Sequence, residues 1–397
     1  MAPEFDAKKF LAKRVLRISD SAIRKMMMAG QKVPGAISLA QGIPDRKTPS
    51  YIRDGVTELL KESTTIGKYS LGPGLPELRQ IVAEKISKGG GFAVNPDTQV
   101  CISAGAIEAL AITMASVVEE GDEVILLDPG YPPYIPQVLF NGGKPVLVPL
   151  QADNEWKIDV EKLKAAVSPK TKAIVVCNPS NPTGMVMGRE ELAAIAKLSA
   201  EHGFFIIADL TYDFLVYDDA PVPSFLEFPE IRDRLIIVYS FSKEFSMTGW
   251  RSGYLYGPEA VVAEALKVHD MYVLCAPTIS QYAALVAFTK PPSEDHLAHH
   301  AEMAEKRDLT CARLDRLSDL FSYTKPRGAY YIIAKYKKPE IDSWEFATRL
   351  LNEAKVVVVP GVACGSQGEG HVRFSYGASK EKINEAFDRI EAWAKTL

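Results

Sequence analysis

KAIVVCNPSNPTG, residues 172–184, begins as an unbroken apolar run and then changes abruptly to Asn, Pro, Ser and Gly. An apolar strand without polar alternation is buried on both faces, as in a parallel sheet covered by helices. The same pattern recurs on either side. FFIIAD at 204–209 runs into Leu210, Thr211 and Tyr212, LIIVYS at 235–240 runs into Phe241, Ser242 and Lys243, and RSGYLYG follows at 251–257. Upstream lie QVCIS at 99–103, EVILLD at 123–128 and KPVLVPL at 144–150. Helical spacing of apolar residues separates the strands, as in AIEALAITMASVVEEGD before Gly121 and REELAAIAKLSAEHG up to Gly203. Strand and helix in alternation predict an α/β domain: a mostly parallel seven-stranded sheet between helices, over residues 51–285.

The rest of the chain has a different rhythm. HLAHHAEMAEKRDLTCARLDRL at 296–317 reads as a charged helix, followed by GAYYIIAKY at 328–336, a helix at WEFATRLLNEA, the strands VVVVP and HVRFSYG, and a last helix from Lys380. This predicts a smaller α+β domain at 286–397, with residues 1–50 an N-terminal arm that joins it. No repeat of 20–50 residues and no low-complexity tract interrupts the chain. The three glycines at 89–91 read as a turn.

Composition narrows the function. The 397 residues carry 46 Lys and Arg against 50 Asp and Glu, a net charge of -4, so there is no basic surplus for nucleic acid or an anionic membrane. No apolar run reaches the roughly 18 residues of a bilayer span, and the N-terminus lacks a secretory apolar stretch, so a cytoplasmic protein is expected. The five cysteines, Cys101, Cys177, Cys275, Cys311 and Cys364, are scattered and form no C-x-x-C pair. Neither a disulfide framework nor a metal site is expected from them.

Ligands of parallel α/β sheets lie beyond the carboxyl ends of the strands. Ends of the predicted strands deliver Asn178 and Asn181, Asp209 with Tyr212, and Ser240 with Ser242 and Lys243, while Arg251 follows Trp250. QVCIS delivers Ser103, Gly105, Ala106 and Ile107 into a helix start, whose free N–H groups suit an anion such as a phosphate, with Ser240 and Arg251 completing the cup. Lys243, near hydroxyls and a cation, loses its proton more readily than a solvated lysine and can form a Schiff base with a carbonyl. Asp209 at the end of an apolar strand needs a cation, such as a protonated ring nitrogen. A phosphate, an aldehyde and a basic aromatic nitrogen together describe pyridoxal 5'-phosphate.

The segments NPSNPTG (178–184), DLTY (209–212), SFSKEFSMTGWRSGY (240–254), VVPGVACG (358–365) and HVRFSYG (371–377), with LAQGIPD (39–45) and YSLGPGLPELR (69–79) upstream, resemble the class I and II aminotransferases of fold type I. The resemblance runs from about Ser38 to the end and keeps the family's order. It implies a homodimeric, pyridoxal-phosphate-dependent enzyme that moves an amino group from an L-amino acid to a 2-oxo acid. By the same resemblance, Lys243 holds the cofactor and then carries the proton between the substrate Cα and the cofactor C4′. Asp209 faces the ring nitrogen, Tyr212 and Asn181 the phenolic oxygen, and Tyr131 the ring face. Ser240, Ser242, Arg251 and the amides of Gly105, Ala106 and Ile107 hold the phosphate, reached by Tyr69 from the partner subunit. Arg373 grips the substrate carboxylate, helped by Asn181 and the backbone of Gly42.

Two positions bear on substrate. Ile107 stands where some dicarboxylate-preferring members carry a polar or cationic residue, and Cys364 replaces a common aromatic. An apolar Ile107 cannot pair a second carboxylate, so a neutral or aromatic amino acid is expected. LAQGIPD is similar to the kynurenine and broad-specificity branch. The same scaffold also hosts β-lyases that cleave Cβ–sulfur bonds, and non-catalytic sensor modules of transcription regulators, although no DNA-binding domain is expected here.

Structural readings compete at several residues. Asp209 can instead cap the turn that follows it, Tyr131 among prolines can simply pack a loop, and Arg373 can be a strand arginine in an ion pair. His296, His299 and His300 have metal-site spacing but read as a solvated helix face. Met26, Met27 and Met28 read as a core or interface stripe, and GSQGEG at 365–370 is not a dinucleotide loop.

Overall fold

The computed structural model describes residues 6–289 and 294–396, with the side chains of 294–297 outside the description. Its strands in chain order are β1 (Ile37–Ser38), β2 (Val100–Ser103), β3 (Glu123–Asp128), β4 (Lys144–Gln151), β5 (Lys157–Ile158), β6 (Thr171–Cys177), β7 (Phe205–Asp209), β8 (Leu235–Ser240), β9 (Gly253–Tyr256), β10 (Phe321–Tyr323), β11 (Tyr331–Tyr336), β12 (Val356–Val357), β13 (Val359–Pro360) and β14 (His371–Ser375). The large sheet has the order β2-β9-β8-β7-β6-β3-β4-β5. The seven strands read from the sequence form it, and the two-residue β5 adds an antiparallel eighth at one edge. Pairings from β8 through β7, β6 and β3 to β4 are parallel, whereas β9 runs antiparallel between β8 and β2.

The apolar runs are buried on both faces because alternate side chains serve two different cores. Ile174 and Val176 of β6 join Ile206, Ala208 and Ile237 on one side of the sheet. Ala173, Val175 and Cys177 join Ile207, Ile236 and Val238 on the other. Period-two alternation therefore persists in the geometry although both faces are apolar. The second core continues into the C-terminal part of the chain, where Phe346, Phe374, Phe387 and Trp393 pack around the antiparallel sheet β10-β11-β14-β13. β1 pairs in parallel with β12, so the N-terminal arm is hydrogen-bonded to the C-terminal segment.

Register brings the polar strand ends together. Cys177 lies beside Asp209 across β6 and β7. Ser240, Gly253 and Ser103 form one row across β8, β9 and β2. Gly253 is needed in that row: a Cβ there would lie 2.8 Å from the Ala106 nitrogen and 2.4 Å from the Tyr239 carbonyl. The chain thus folds the start of the Ala106–Val117 helix directly onto the sheet edge.

Two surface readings change with the fold, those of the 89–91 glycines and of the histidines. Two of the glycines at 89–91 end the Pro76–Gly90 helix, and Gly91 closes it in the left-handed conformation, φ +66°. His299 and His300 are not on a solvated face. His299 is buried and stacks on Phe214, and the ring of His300 bonds the Val216 carbonyl at 2.6 Å. Helical periodicity was masked there by charges that flank a packed stripe; the side chain of His296 lies outside the described residues. Met26 is core, while Met28 is exposed. The GSQGEG segment makes a short turn whose Ser366 and Gln367 N–H groups donate to the Asp128 carboxylate.

Candidate active site

A cavity of about 300 Å³ opens at the carboxyl ends of β6, β7 and β8 and is roofed by β14 and the 39–45 loop. It is lined by Gly42, Ala106, Ile107, Tyr131, Asn181, Asp209, Tyr212, Ser240, Ser242, Lys243, Arg251 and Arg373. Of the cofactor- and substrate-binding residues expected from the sequence, Gly105 and Tyr69 stand outside this lining, and so does Cys364, which is buried beside a separate small cavity with Tyr131 and Tyr134. Gly105 is the N-cap of the Ala106–Val117 helix, immediately behind the wall. Tyr69 is 81% exposed on the single chain.

One end of the cavity is built for an anion. Gly105 has φ +89°, a conformation glycine adopts without penalty, and no side chain caps the helix it begins. The first-turn N–H groups of such a helix have no carbonyl partner within it. A Cβ at Gly105 would sit 2.6 Å from Arg251 Nη2, so the cradle also depends on the missing side chain. Arg251 donates to the Ala104 carbonyl at 3.1 Å and to the Thr248 carbonyl at 3.0 Å. Ser240 Oγ accepts the Ser242 N–H at 3.2 Å, an N-cap contact.

Asp209 lies at the floor, 3% exposed. Its Oδ1 accepts the Thr211 N–H and hydroxyl, and its Oδ2 accepts the Tyr134 hydroxyl at 2.7 Å. The turn-capping reading of Asp209 therefore holds for one oxygen only. Burial raises its pKa, offset by the Thr211 and Tyr134 hydroxyls, the Thr211 N–H and Lys243. Lys243 points across the cavity, with Nζ bonded to the Gly42 carbonyl. Burial lowers its pKa to about 8, helped by Arg373 and Arg251 and opposed by Asp209.

The other end holds a second anion-seeking group. Arg373 is 2% exposed and, among the described residues, has no carboxylate partner. Nη1 donates to Asn181 Oδ1 at 3.0 Å, Nη2 to the Ala40 carbonyl at 2.8 Å, and Nε is buried without a partner. The ion-pair reading of Arg373 thus fails. A buried cation with neutral partners and an unsatisfied donor is poised for an anion. Its guanidinium lies 4.6 Å from the centroid of the Tyr331 ring.

These donors suit pyridoxal phosphate on the structure's own terms: an open helix N-terminus beside a guanidinium and a hydroxyl, a lysine of lowered pKa, and a buried carboxylate. The family comparison decides the matter. The family model of class I and II aminotransferases matches residues 34–390. The chain belongs to the class I and II aminotransferases. Like the members of that family, it is a pyridoxal-phosphate-dependent aminotransferase. It is 37% identical over 382 residues to an aromatic-amino-acid aminotransferase of Thermococcus litoralis, covering 96% of this chain and 97% of that one. An aspartate aminotransferase of Pyrococcus abyssi is 36% identical over 384 residues, with 96% and 97% covered. Among solved structures, a Pyrococcus protein superposes with a TM-score of 0.92 at 35% identity, covering 97% of this chain and 98% of that one.

Several residues of this aminotransferase site escape a reading of the sequence. Tyr134 holds Asp209, and Tyr331 shares a hydrogen bond of 2.7 Å with Tyr212, while Tyr330 donates to the Gly42 carbonyl at 2.8 Å. Ile23 and Ile43 of the N-terminal arm complete the apolar wall with Ile107 and Leu110. YPPY and AYY carried the signal for the tyrosines, since a buried phenol requires a partner. Nothing local marks Ile23. No helix among the described residues is long and apolar enough to cross a membrane.

Proposed function

We propose that this aminotransferase takes neutral or aromatic L-amino acids in preference to dicarboxylic ones. The observation that carries the reading is the inventory of the cavity. Among the described residues its lining cations are Lys243, Arg251 and Arg373, and each already has a task. The apolar part of the wall includes Ile23, Ile43, Ile107 and Leu110, with Ile107 43% exposed, and the other lining residues not yet given a task, among them Thr211, Thr248 and Tyr331, carry no charge. A second carboxylate placed there would lose hydration without gaining a cation from its own chain.

Pyridoxal phosphate, when bound, supplies an aldehyde that takes the amino group and a ring that accepts electrons from the substrate Cα. The roles of the chain's residues follow from their chemistry. Lys243, neutral above about pH 8, would hold the cofactor through its aldehyde and, when free, would take up and return a proton at the substrate Cα. Asp209, pinned by Thr211 and Tyr134, would keep the ring nitrogen protonated. Tyr212 and Asn181 would bond the phenolic oxygen, and Tyr131 would pack on the ring. Ser240, Ser242, Arg251 and the N–H groups of Gly105, Ala106 and Ile107 hold the phosphate. Arg373, steadied by Asn181 and Ala40, binds the substrate carboxylate beside Gly42.

The active unit in this reading is a homodimer in which Tyr69 reaches the phosphate of the neighbouring protomer. Tyr69 is exposed together with Leu71, Met271, Tyr272 and Leu274. Bonds from Thr278 to the Lys68 carbonyl and from Gln281 to Ser70 hold the 68–71 loop against the start of the Thr278–Thr289 helix. An apolar patch of this kind marks an interface. The division into an arm (1–50), a cofactor domain (51–285) and a small domain (286–397) is proposed on the same footing, supported by the pairing of β1 with β12. Five free, buried cysteines favour the reducing cytoplasm.

The test is a panel of amino donors at a fixed 2-oxo acid. Phenylalanine or leucine should exceed aspartate in kcat/KM by about tenfold or more, the worth of one unpaired buried charge. Ile107→Lys should narrow that ratio. Aspartate equal to or better than phenylalanine in the unmodified enzyme would refute the preference.

A further inference from the structure

Glu108 poses a problem for a phosphate site. It occupies the first turn of the Ala106–Val117 helix, where a carboxylate ordinarily folds back onto the free N–H groups of its own helix and is favoured there by the helix dipole. Those N–H groups are the ones a phosphate needs. In this chain the carboxylate is held elsewhere. Oε2 accepts the N–H of Ala104, the residue ahead of the N-cap. Oε1 lies 2.7 Å from Nδ1 of His269. Because an ionised carboxylate can only accept, Nδ1 is the donor of that bond.

His269 belongs to the Glu259–Val273 helix, which packs against the Ala106–Val117 helix. Its side chain is completely buried, and Nε2 has no hydrogen-bond partner. A buried, half-satisfied imidazole costs stability, so the bond it makes to Glu108 is the use the fold has for it. The backbone of Ala104 is consequently held at both of its polar groups. Its N–H is held by Glu108, and its carbonyl accepts Arg251 Nη2 at 3.1 Å.

We infer that His269 is a positioning residue for cofactor binding: by anchoring Glu108 on Ala104 it keeps that carboxylate off the N–H groups of Ala106 and Ile107, leaving them to the cofactor phosphate. The inference rests on the placement of the phosphate at this helix start. Without the anchor, the Glu108 carboxylate competes with the phosphate for the same donors and repels it. The penalty falls on the phosphate and not on the ring.

Equilibrium titration of the cofactor-free protein with pyridoxal phosphate and with phosphate-free pyridoxal, followed by absorbance, isolates that penalty. The ratio of the two dissociation constants measures what the phosphate contributes. His269→Leu should reduce this ratio about tenfold or more while leaving pyridoxal binding unchanged. His269→Gln, whose amide nitrogen stands nearer the position of Nε2, should do the same if the leucine variant does not fold. His269→Asn, which keeps a donor near Nδ1, should retain most of the ratio. Adding Glu108→Gln to His269→Leu should restore it, since the competing charge is gone. An unchanged ratio in the leucine and glutamine variants, or an equal loss for both ligands, overturns the inference. A ratio near one in the unmodified protein, with no competition by inorganic phosphate, overturns the phosphate placement itself.

Discussion

The two ends of the cavity are assembled from opposite kinds of contact. At the phosphate end, Ser103 to Ile107, Ser240 to Lys243 and Thr248 to Arg251 are short runs on three adjacent strands, aligned by the register of β8, β9 and β2. At the substrate end, Arg373 meets Asn181 across 192 positions of sequence and Ala40 across 333. Donors at the first end are largely backbone groups and an exposed arginine, already placed by the sheet. Those at the second are a fully buried arginine and tyrosines that must be brought together by the packing of the arm and β14 onto the sheet. The first end is therefore fixed by local chain geometry, and the second depends on the relation of distant segments.

Asp209 stands between the two ends, and its removal should have the largest effect. In Asp209→Asn the Tyr134 and Thr211 contacts can persist in part, so the fold and cofactor binding should survive. Turnover should fall by about 10³-fold or more, the loss of several kcal/mol of electrostatic stabilisation in a buried site. Near-normal single-turnover rates in a folded variant would remove Asp209 from the chemistry.

The division itself is tested by paired arginine variants. Arg373→Leu should raise the KM for the amino donor by about a hundredfold, as expected for a buried charge-assisted contact, and leave cofactor affinity nearly unchanged. Arg251→Leu should do the reverse. If both variants shift the same constant, the cavity does not have two independent ends.

This difference also explains what was legible beforehand. Asp209 and Ser240 end apolar strands, Asn181, Tyr212 and Lys243 follow them within a few residues and Arg251 stands just ahead of one, so each strand announces a place on one face of the sheet. The seven strands were legible for the same reason, whereas β5, two residues long, has no pattern to read. Tyr331 and Ile23 have no such marker. They reach the cavity only because the small sheet and the arm pack there, and that packing is set by the shared core around Phe346 and Trp393. His299 failed in the opposite direction: the histidines and charges around it in sequence suggested a wet face, but in space it stacks on Phe214 and is buried.

Lys243 reports on both ends at once, through its charge. In the cofactor-free protein only the neutral amine adds to an aldehyde, so the capture rate of pyridoxal should rise about tenfold per pH unit below the midpoint and level off above it. The midpoint should lie at about 8, well below the ordinary lysine value of 10.5. Removing a neighbouring cation relieves repulsion of the ammonium, so Arg373→Leu should move the midpoint up. Removing the neighbouring anion withdraws support from the ammonium, so Asp209→Asn should move it down. Stopped-flow absorbance against pH decides the matter, and a midpoint near 10.5 would mean that neither burial nor the cations at the two ends acts on the lysine.

Tyr331→Phe should have the smallest effect, and it is the sharpest probe of how distant segments tune the substrate end. The ring stays, so the contact with the Arg373 guanidinium, 4.6 Å from its centroid, is retained. What is lost is one hydroxyl bonded to the Tyr212 hydroxyl at 2.7 Å, both rings being buried. Tyr212 is then free to turn its proton elsewhere, and the bond proposed for it toward the cofactor would no longer be directed. The fold should lose about 1–3 kcal/mol, the range for leaving a buried polar group unpaired. The rate should fall only a few-fold, mainly in kcat, because Arg373 is still in place for the substrate carboxylate. Tyr331→Leu removes the ring as well and should add a rise in KM for the amino donor. If Tyr331→Phe raised KM as much as Tyr331→Leu, the hydroxyl rather than the ring would be what holds Arg373 in place, and the tyrosine pair would belong to substrate binding instead of to Tyr212.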